Sequence, residues 1–467
     1  MLPQADHPSE IAALEARRPE ASRPDVQFPA PATGRSAELP TERAASQAAA
    51  TPPTRNRGYR TVTVFYATDR QAVDVNAPQK FGHVGWFLLT AMSAATTLVL
   101  AIMIQRYSAK RLLVIAGGAA LAATLVLGII TVVSRLQTPV VATRPGRVYG
   151  PDRGEMELGT CQVSIPESHQ TGEVERPSIF RLEFQEDPER HVVLLNVAPE
   201  KDESFFAALK ARVNTSAKKE VFVFVHGFNV SFDTAARRTA QIAYDLKFEG
   251  APILYSWPSQ GNLLDYTVDE TNVVWTVPHL KGFLLNVAQR SGAKSLHLVA
   301  HSMGNRALTA ALQSLSYELK DSQPMFNEVV LTAPDIDADV FRRDIAPAIV
   351  KTASRVTLYA SSNDEALALS KKVHGYPRAG ESGESMVVVP GIDTIDVSTV
   401  DSSLIGHSYY GSNGTVLADL LDLLHDSKPP GERRWLRPMQ LGILAYWTFV
   451  ADRNPANAAS PPEGIVR

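Results

Sequence analysis

The chain has 467 residues, 45% of them hydrophobic and 20% charged, with 46 basic against 49 acidic side chains and a formal net charge of -3. Such a length exceeds one ordinary domain core, so a main domain with accessory segments is expected. The balanced charge excludes a nucleic-acid footprint, and the lone Cys161 excludes an intramolecular disulfide framework and any CxxC metal or redox site.

Residues 1–58 are rich in Ala, Pro, Arg and Glu and hold almost no aromatic or β-branched cluster from which a core could be built, which predicts a disordered tail. No apolar run follows the initiator Met, so a cleavable signal peptide is not expected. "TVTVFYATDR", Thr61 to Arg70, is a β-branched and aromatic run, and residues 59–83 are read as a first strand of the main domain and its loop.

From Val84 to Ile104 and from Leu112 to Val133 the sequence carries no charge. At ~1.5 Å rise per residue each stretch would cover roughly 30 Å, the thickness of a bilayer's hydrocarbon core. Residues 84–133 are therefore expected to form a two-helix transmembrane hairpin (84–104 and 112–133) closed by "QRYSAKR". Ala91 with Ala95 and Gly118 with Ala122 would let the two helices approach closely. A buried helical hairpin in a water-soluble core is the alternative, but such a helix normally shows a polar face, and these show none. Two spans return the chain to its starting side. The flanking Arg and Lys residues and those of the connector give opposed readings of which side that is.

After a linker at 134–152, short β-rich runs alternate with longer helical ones over 153–452: "VFVFVHG", "APILYSW", "SLHLVA", "NEVVLTAPD", "RVTLYASSND" and "TIDVS" between amphipathic segments, then "TVLADLLDLLHD". Continuous apolar strands separated by amphipathic helices predict an α/β domain with a mostly parallel sheet covered on both faces. "GEMELGTCQVSIP" and "HVVLLNVAP" read as extra strands at its front edge, and 453–467 as a disordered end.

The chemistry centres on "LVAHSMGN". Ser302 stands between a strand and a helix, with the small residues Ala300 and Gly304 two positions to either side. A serine on so sharp a turn needs small neighbours, because strand and helix backbones pass closely there. The turn lifts Oγ above the sheet and sets the Met303 amide at a helix N-terminus, where it can meet developing negative charge. A hydroxyl needs a base and an orienting acid. In this architecture the order is Ser, acid, His, which leaves His374, His407 and His425 as bases. His407 is preferred, since its loop follows the "TIDVS" strand; His374 comes second, and His425 is explained by its place near a helix C-terminus. Asp364 ends the penultimate strand and is the preferred acid. Asp335 and Asp337, one strand earlier, are the alternatives, and each of the three is also explained as an ordinary helix N-cap. "VFVFVHGFNVSF" supplies a His-Gly turn whose Gly227 permits close approach and whose Phe228 amide is the expected second oxyanion donor. His226 is read as a structural hydrogen-bonding residue. Neither a metal nor an organic cofactor is called for.

These segments resemble the α/β-hydrolase superfamily, and within it a bacterial esterase/lipase-like branch classed as a domain of unknown function. The resemblance rests on "VFYATDR", "RGEMELGTCQVSIPESHQTGE", "VFVHGFNVSFDTAARRTAQIAYDL", "YSWPSQG", "LVAHSMGNRAL", "APDID", "SSNDEAL" and "GHSYY" in that order. It implies a serine-hydrolase fold with Ser302, Asp364 and His407 at the triad positions, and it names no substrate. The expectation is a membrane-anchored hydrolase in a bacterial inner membrane acting on carboxylic ester or related acyl bonds, with a lipid or envelope-derived acyl substrate in view. A catalytically silent scaffold of the same fold and an acyltransferase are the alternatives. The hairpin departs from the family pattern and is expected to leave the domain at a surface away from the catalytic edge.

Overall fold

The computed structural model describes residues 58–73, 146–178, 181, 183, 185–261, 265–319, 323–400 and 414–450. The expected tails, the hairpin at 84–133 and the loop bearing His407 lie outside them. Among the described residues no helix is long and apolar enough to cross a membrane.

In chain order the elements are β1 (Tyr59–Ala72), β2 (Tyr149–Pro166), β3 (Val193–Glu200), α1 (Asp202–Thr215), β4 (Glu220–Val225), α2 (Phe232–Asp245), β5 (Ala251–Ser256), α3 (Tyr266–Trp275), α4 (Val277–Arg290), β6 (Ser295–His301), α5 (Gly304–Leu319), β7 (Phe326–Thr332), β8 (Ala353–Ala360), α6 (Glu365–His374), β9 (Ile392–Asp396), α7 (Gly414–Asp426), β10 (Leu436–Leu441) and β11 (Leu444–Phe449). Between β7 and β8 runs an irregular helical stretch whose middle, Phe341–Ile345, is π-helical. The strands form one sheet in the order β10-β11-β9-β8-β7-β6-β4-β5-β1-β2-β3. All neighbours from β11 to β1 pair in parallel, whereas β2, β3 and β10 join antiparallel at the two margins.

The central strands are apolar throughout because both of their faces are covered. In β4, Val221, Val223 and Val225 enter one core with Phe205 and Leu209 of α1, Leu284 and Val287 of α4, and Leu308 and Leu312 of α5. Phe222 and Phe224 point the other way, into a second core with Ala236 and Ile242 of α2 and Leu420 and Leu424 of α7. This alternation is the period-two geometry of a strand expressed in one hexapeptide. The margins read differently. β10 carries Pro438, which an edge strand tolerates because its N–H side needs no partner.

Two sequence-based boundaries shift. The expected linker at 134–152 is not all linker, because β2 begins at Tyr149, opposite Ala72, and pairs antiparallel with β1 in a register that runs to Pro166. The β10–β11 hairpin is an addition, since the alternating pattern of "LRPMQLGILAYWTF" is short and half exposed.

A third expectation, on where the inserted residues leave the domain, is overturned. β1 runs parallel to β5, so its C-terminal end lies at the carboxyl edge of the sheet. Ala67 shares a row with Tyr255, Val225 and Ala300, and β1 continues five residues further to Ala72 beside its partner β2. The Val73 amide still donates to the Val148 carbonyl at 2.8 Å. The insertion therefore departs from an arm that stands above the carboxyl edge, on the side of Ser302.

Candidate active site

From β4 the chain goes outward to β5, then crosses back to place β6 on the other flank of β4. Such a reversal opens a crevice above the carboxyl ends of the two strands that diverge from it. The loops after β4 and β6 meet there, carrying Gly227 and Ser302.

Ser302 has φ +49°, the left-handed region that costs a side-chain-bearing residue about 1–2 kcal/mol. Its neighbours enforce this. The Ser302 amide donates to the Thr332 carbonyl at 3.0 Å, while its carbonyl accepts from Asn305 N at 3.1 Å, Asn305 Nδ2 at 2.9 Å and, longer, Asp335 N at 3.3 Å. Asn305 is fully buried and also donates to the Thr332 carbonyl at 3.0 Å, so it acts as a clamp on the turn. A Cβ on Gly304 would stand 2.2 Å from the His226 carbonyl oxygen and 2.9 Å from that of Val225, and Ala300 is fully enclosed. A Cβ on Gly227 would stand 3.0 Å from Ser302 Cβ and 2.9 Å from His301 Nδ1, so the β4 loop lies directly on the serine turn.

Met303 N and Phe228 N, the two expected oxyanion donors, have no hydrogen-bond acceptor among the described residues. Buried amides are ordinarily paired, and that of the fully buried Met303, next to the strained serine, has no such partner among the described residues. The 16-residue helix α5 that begins at Gly304 adds the positive end of its dipole.

The Phe228 loop is braced by His226, read from the sequence as a structural hydrogen-bonding residue, and by Arg70, Ser256, Ser259 and Asp269, which sequence reasoning missed. His226 is 1% exposed; its Nδ1 donates to the Gly227 carbonyl at 2.8 Å, and its Nε2 accepts from Arg70 Nη2 at 3.3 Å and Ser256 Oγ at 3.2 Å. Burial, and next the Arg70 charge, hold this imidazole well below its usual range, so it is neutral and unsuited to act as the base. It stacks on Trp257, whose indole N–H donates to the His226 carbonyl at 2.7 Å. Arg70 also donates to Ser256 Oγ (2.8 Å), the Ser259 carbonyl (2.9 Å), the Gly150 carbonyl (3.2 Å) and the Val230 carbonyl (2.6 Å). Burial pulls its pKa down to about 10, which leaves it charged at neutral pH. Asp269 of α3 closes the brace by accepting from Ser259 Oγ at 2.6 Å and Gln260 N at 2.7 Å. The available signal was that "VFYATDR" and "YSWPSQG" both end a strand in polar residues at the carboxyl edge.

The acids differ in their engagements. Asp364 follows β8 and caps α6, accepting from Leu367 N at 3.0 Å. Asp335 is 2% exposed and held on both oxygens: Oδ1 by Arg378 Nε at 2.8 Å and Ser370 Oγ at 2.5 Å, Oδ2 by Tyr266 OH at 2.6 Å and Arg306 Nη2 at 3.0 Å. Burial raises its pKa, but Arg306 and Arg378 outweigh that and leave it below the ordinary range. Asp337 caps the irregular helix, accepting from Asp339 N at 2.9 Å and Val340 N at 3.0 Å. Of the bases, His374 ends α6 with Nδ1 on the Ser370 carbonyl and Nε2 on Glu270 Oε1, both at 2.8 Å. His425 ends α7, beside Asp426 and Lys218. His407 lies outside the described residues. Among those residues no group of three His, Cys, Asp or Glu side chains could hold a metal ion.

Residues 201–423 match the family described as alpha/beta hydrolases of unknown function, DUF900. The match covers just under half of the chain. An uncharacterized protein of Nostoc sp., alr1448, is 26% identical over a stretch covering 21% of this chain and 32% of that protein, so the chain spans about a third of the curated relative it matches. Among solved structures, dipeptidyl peptidase 4 of Porphyromonas gingivalis aligns at 9% identity and TM-score 0.27, covering 58% of this chain and 33% of the peptidase. Phospholipase PlaB of Legionella pneumophila, in complex with thio-NAD, aligns at 12% identity and TM-score 0.25, covering 49% and 67%. The α/β-hydrolase assignment accords with the mostly parallel sheet and its two helical layers.

Proposed function

We propose that this protein is a membrane-anchored serine hydrolase that cleaves carboxylic ester or related acyl bonds. The observation that carries the proposal is the strained Ser302 turn with Gly227 pressed against it and the Met303 and Phe228 amides without an acceptor among the described residues. His407 is the base and Asp364 its orienting acid. Chain order supports both, and Asp364 is favoured over Asp335 because two arginines already neutralise the latter. The anchor is 84–133, on the strength of its two uncharged stretches.

In this scheme Ser302 Oγ attacks the carbonyl carbon while His407 takes its proton, and the oxygen of the tetrahedral intermediate is held by the two amides. The ester C–O bond then breaks, the alcohol leaves with the proton from His407, and the acyl group remains on Oγ. A water molecule, deprotonated by the same imidazole, attacks the acyl-serine carbonyl; the C–Oγ bond breaks, Ser302 Oγ takes the proton back from His407, and the acid is released. The braced loop lets the Phe228 amide meet the oxyanion without reorganising.

A fluorophosphonate probe applied to wild type and Ser302→Ala tests the nucleophile: labelling is expected in the first alone. Labelling that persists in Ser302→Ala, or none in wild type, would overturn the proposal. Ester turnover should vanish in His407→Ala and fall steeply in Asp364→Asn with the fold intact, whereas Asp335→Asn should act chiefly on stability.

A further inference from the structure

The arm from which the insertion departs rises beside the site. Val73 lies six residues beyond the row shared by Ala67 and Ala300, roughly 20 Å at ~3.3 Å per strand residue, and three strand spacings sideways from β6, about 14 Å. Residues 74–83 and 134–145 separate the uncharged stretches from the arm. Even fully extended, each connector reaches only about 35–40 Å. The chain thus leaves and re-enters the described domain at the carboxyl edge, and each uncharged stretch starts within about 35–40 Å of that arm.

Two helices on that edge turn apolar side chains outward. α3 lies across it: Tyr266 packs on Phe228 with ring centroids 5.0 Å apart, and at the other end Asn272 Oδ1 accepts from Arg153 Nε at 2.7 Å. Its outer face presents Val268, Thr271 and Val274, the last 68% exposed. α6 touches α3 through Glu270 and His374 and presents Leu369 and Val373, 59% and 61% exposed, followed by Tyr376 at 64%. Leu369 and Val373, one turn apart, share a helical face, Tyr376 follows just beyond the left-handed Gly375 cap, and Lys372 stands beside them. A stripe of this kind with a snorkelling lysine suits a headgroup boundary.

We propose that the carboxyl edge of the sheet faces a lipid bilayer, with Val268 and Val274 of α3, Leu369 and Val373 of α6 and Tyr376 just beyond it seated in its interface, and that the acyl bond cleaved at Ser302 belongs to a lipid taken from that bilayer. This rests on the nucleophile and anchor readings above. The arm supplies the orientation, and the stripe supplies the contact.

The test uses the full chain reconstituted in phosphatidylethanolamine/phosphatidylglycerol vesicles. An environment-sensitive fluorophore is placed at Leu369→Cys, Val274→Cys or Tyr317→Cys in a Cys161→Ser background; Tyr317 is exposed near the far end of α5, away from the edge. Brominated lipids should quench the first two and spare the third, and an aqueous quencher should do the reverse. Aqueous quenching at all three positions overturns the orientation whatever the enzyme does. Leu369→Glu/Val373→Glu should retain turnover of a water-soluble butyrate ester within about twofold and lose at least tenfold on a vesicle-borne diacyl ester. Equal loss on both esters, or no loss on either, overturns the lipid assignment. Lipid quenching without any Ser302-dependent turnover overturns the hydrolase reading and leaves the orientation standing.

Discussion

Ser302→Gly should abolish turnover and at the same time stabilise the protein, whereas Ser302→Ala should abolish turnover without that gain. The turn is fixed from outside the side chain: the Thr332 carbonyl holds the amide, and Asn305 holds the carbonyl through two hydrogen bonds. Alanine therefore inherits φ +49° with its strain, and only glycine adopts it freely. Relief of about 1–2 kcal/mol, less about 0.5–1 kcal/mol for the greater freedom of glycine in the unfolded chain, leaves a net gain of about 0.5–1 kcal/mol. For a domain of this size that raises Tm by about 1–4 °C. Thermal and urea unfolding of the three proteins in one buffer measure it, with the glycine-minus-alanine difference as the readout. Equal stability of the two variants would show that the turn relaxes when the hydroxyl is removed, and the strain argument for a functional elbow would fail.

Gly304→Ala should cost roughly 3 kcal/mol, because the added methyl meets two backbone oxygens that cannot move aside, and its urea midpoint should fall accordingly. Arg70→Met should lower kcat for ester hydrolysis about 100-fold with little change in KM, since it unties the Phe228 loop rather than a substrate contact; a matching rise in KM would count against a positioning role. On the alkaline side, His169 matters: burial lowers its pKa, but the hydrogen bonds it donates to Asp245 and Glu175 outweigh this and raise it to about 9. Its stabilisation is complete below the unfolded pKa of about 6.5 and is lost as pH rises through 9, so His169→Gln should flatten the alkaline limb of a stability-pH profile. On the acid side, burial holds His297 near 4 and leaves its ring nitrogens unpaired among the described residues. Staying neutral stabilises the fold fully above about 6.5, and this is lost as pH falls toward 4, a decline that His297→Leu should diminish in equilibrium unfolding.

Sequence by itself determined the parallel sheet and the serine turn. "VFVFV" and "SLHLVA" are apolar on both faces, as only a doubly covered strand can be, and "AHSMG" carries its steric requirement in adjacent residues. Both signals are local, so they survive without coordinates. Tertiary structure alone decided which residues brace the oxyanion loop, because Arg70 meets His226 across 156 positions and Asp269 reaches the loop from another helix. It also separated the candidate acids: Asp335 and Asp364 look alike in sequence, and only packing brings Arg306 and Arg378 onto the first. The exit of the insertion beside the active edge was likewise hidden, since strand direction within a sheet is set by long-range pairing and leaves no mark on the strand's own residues.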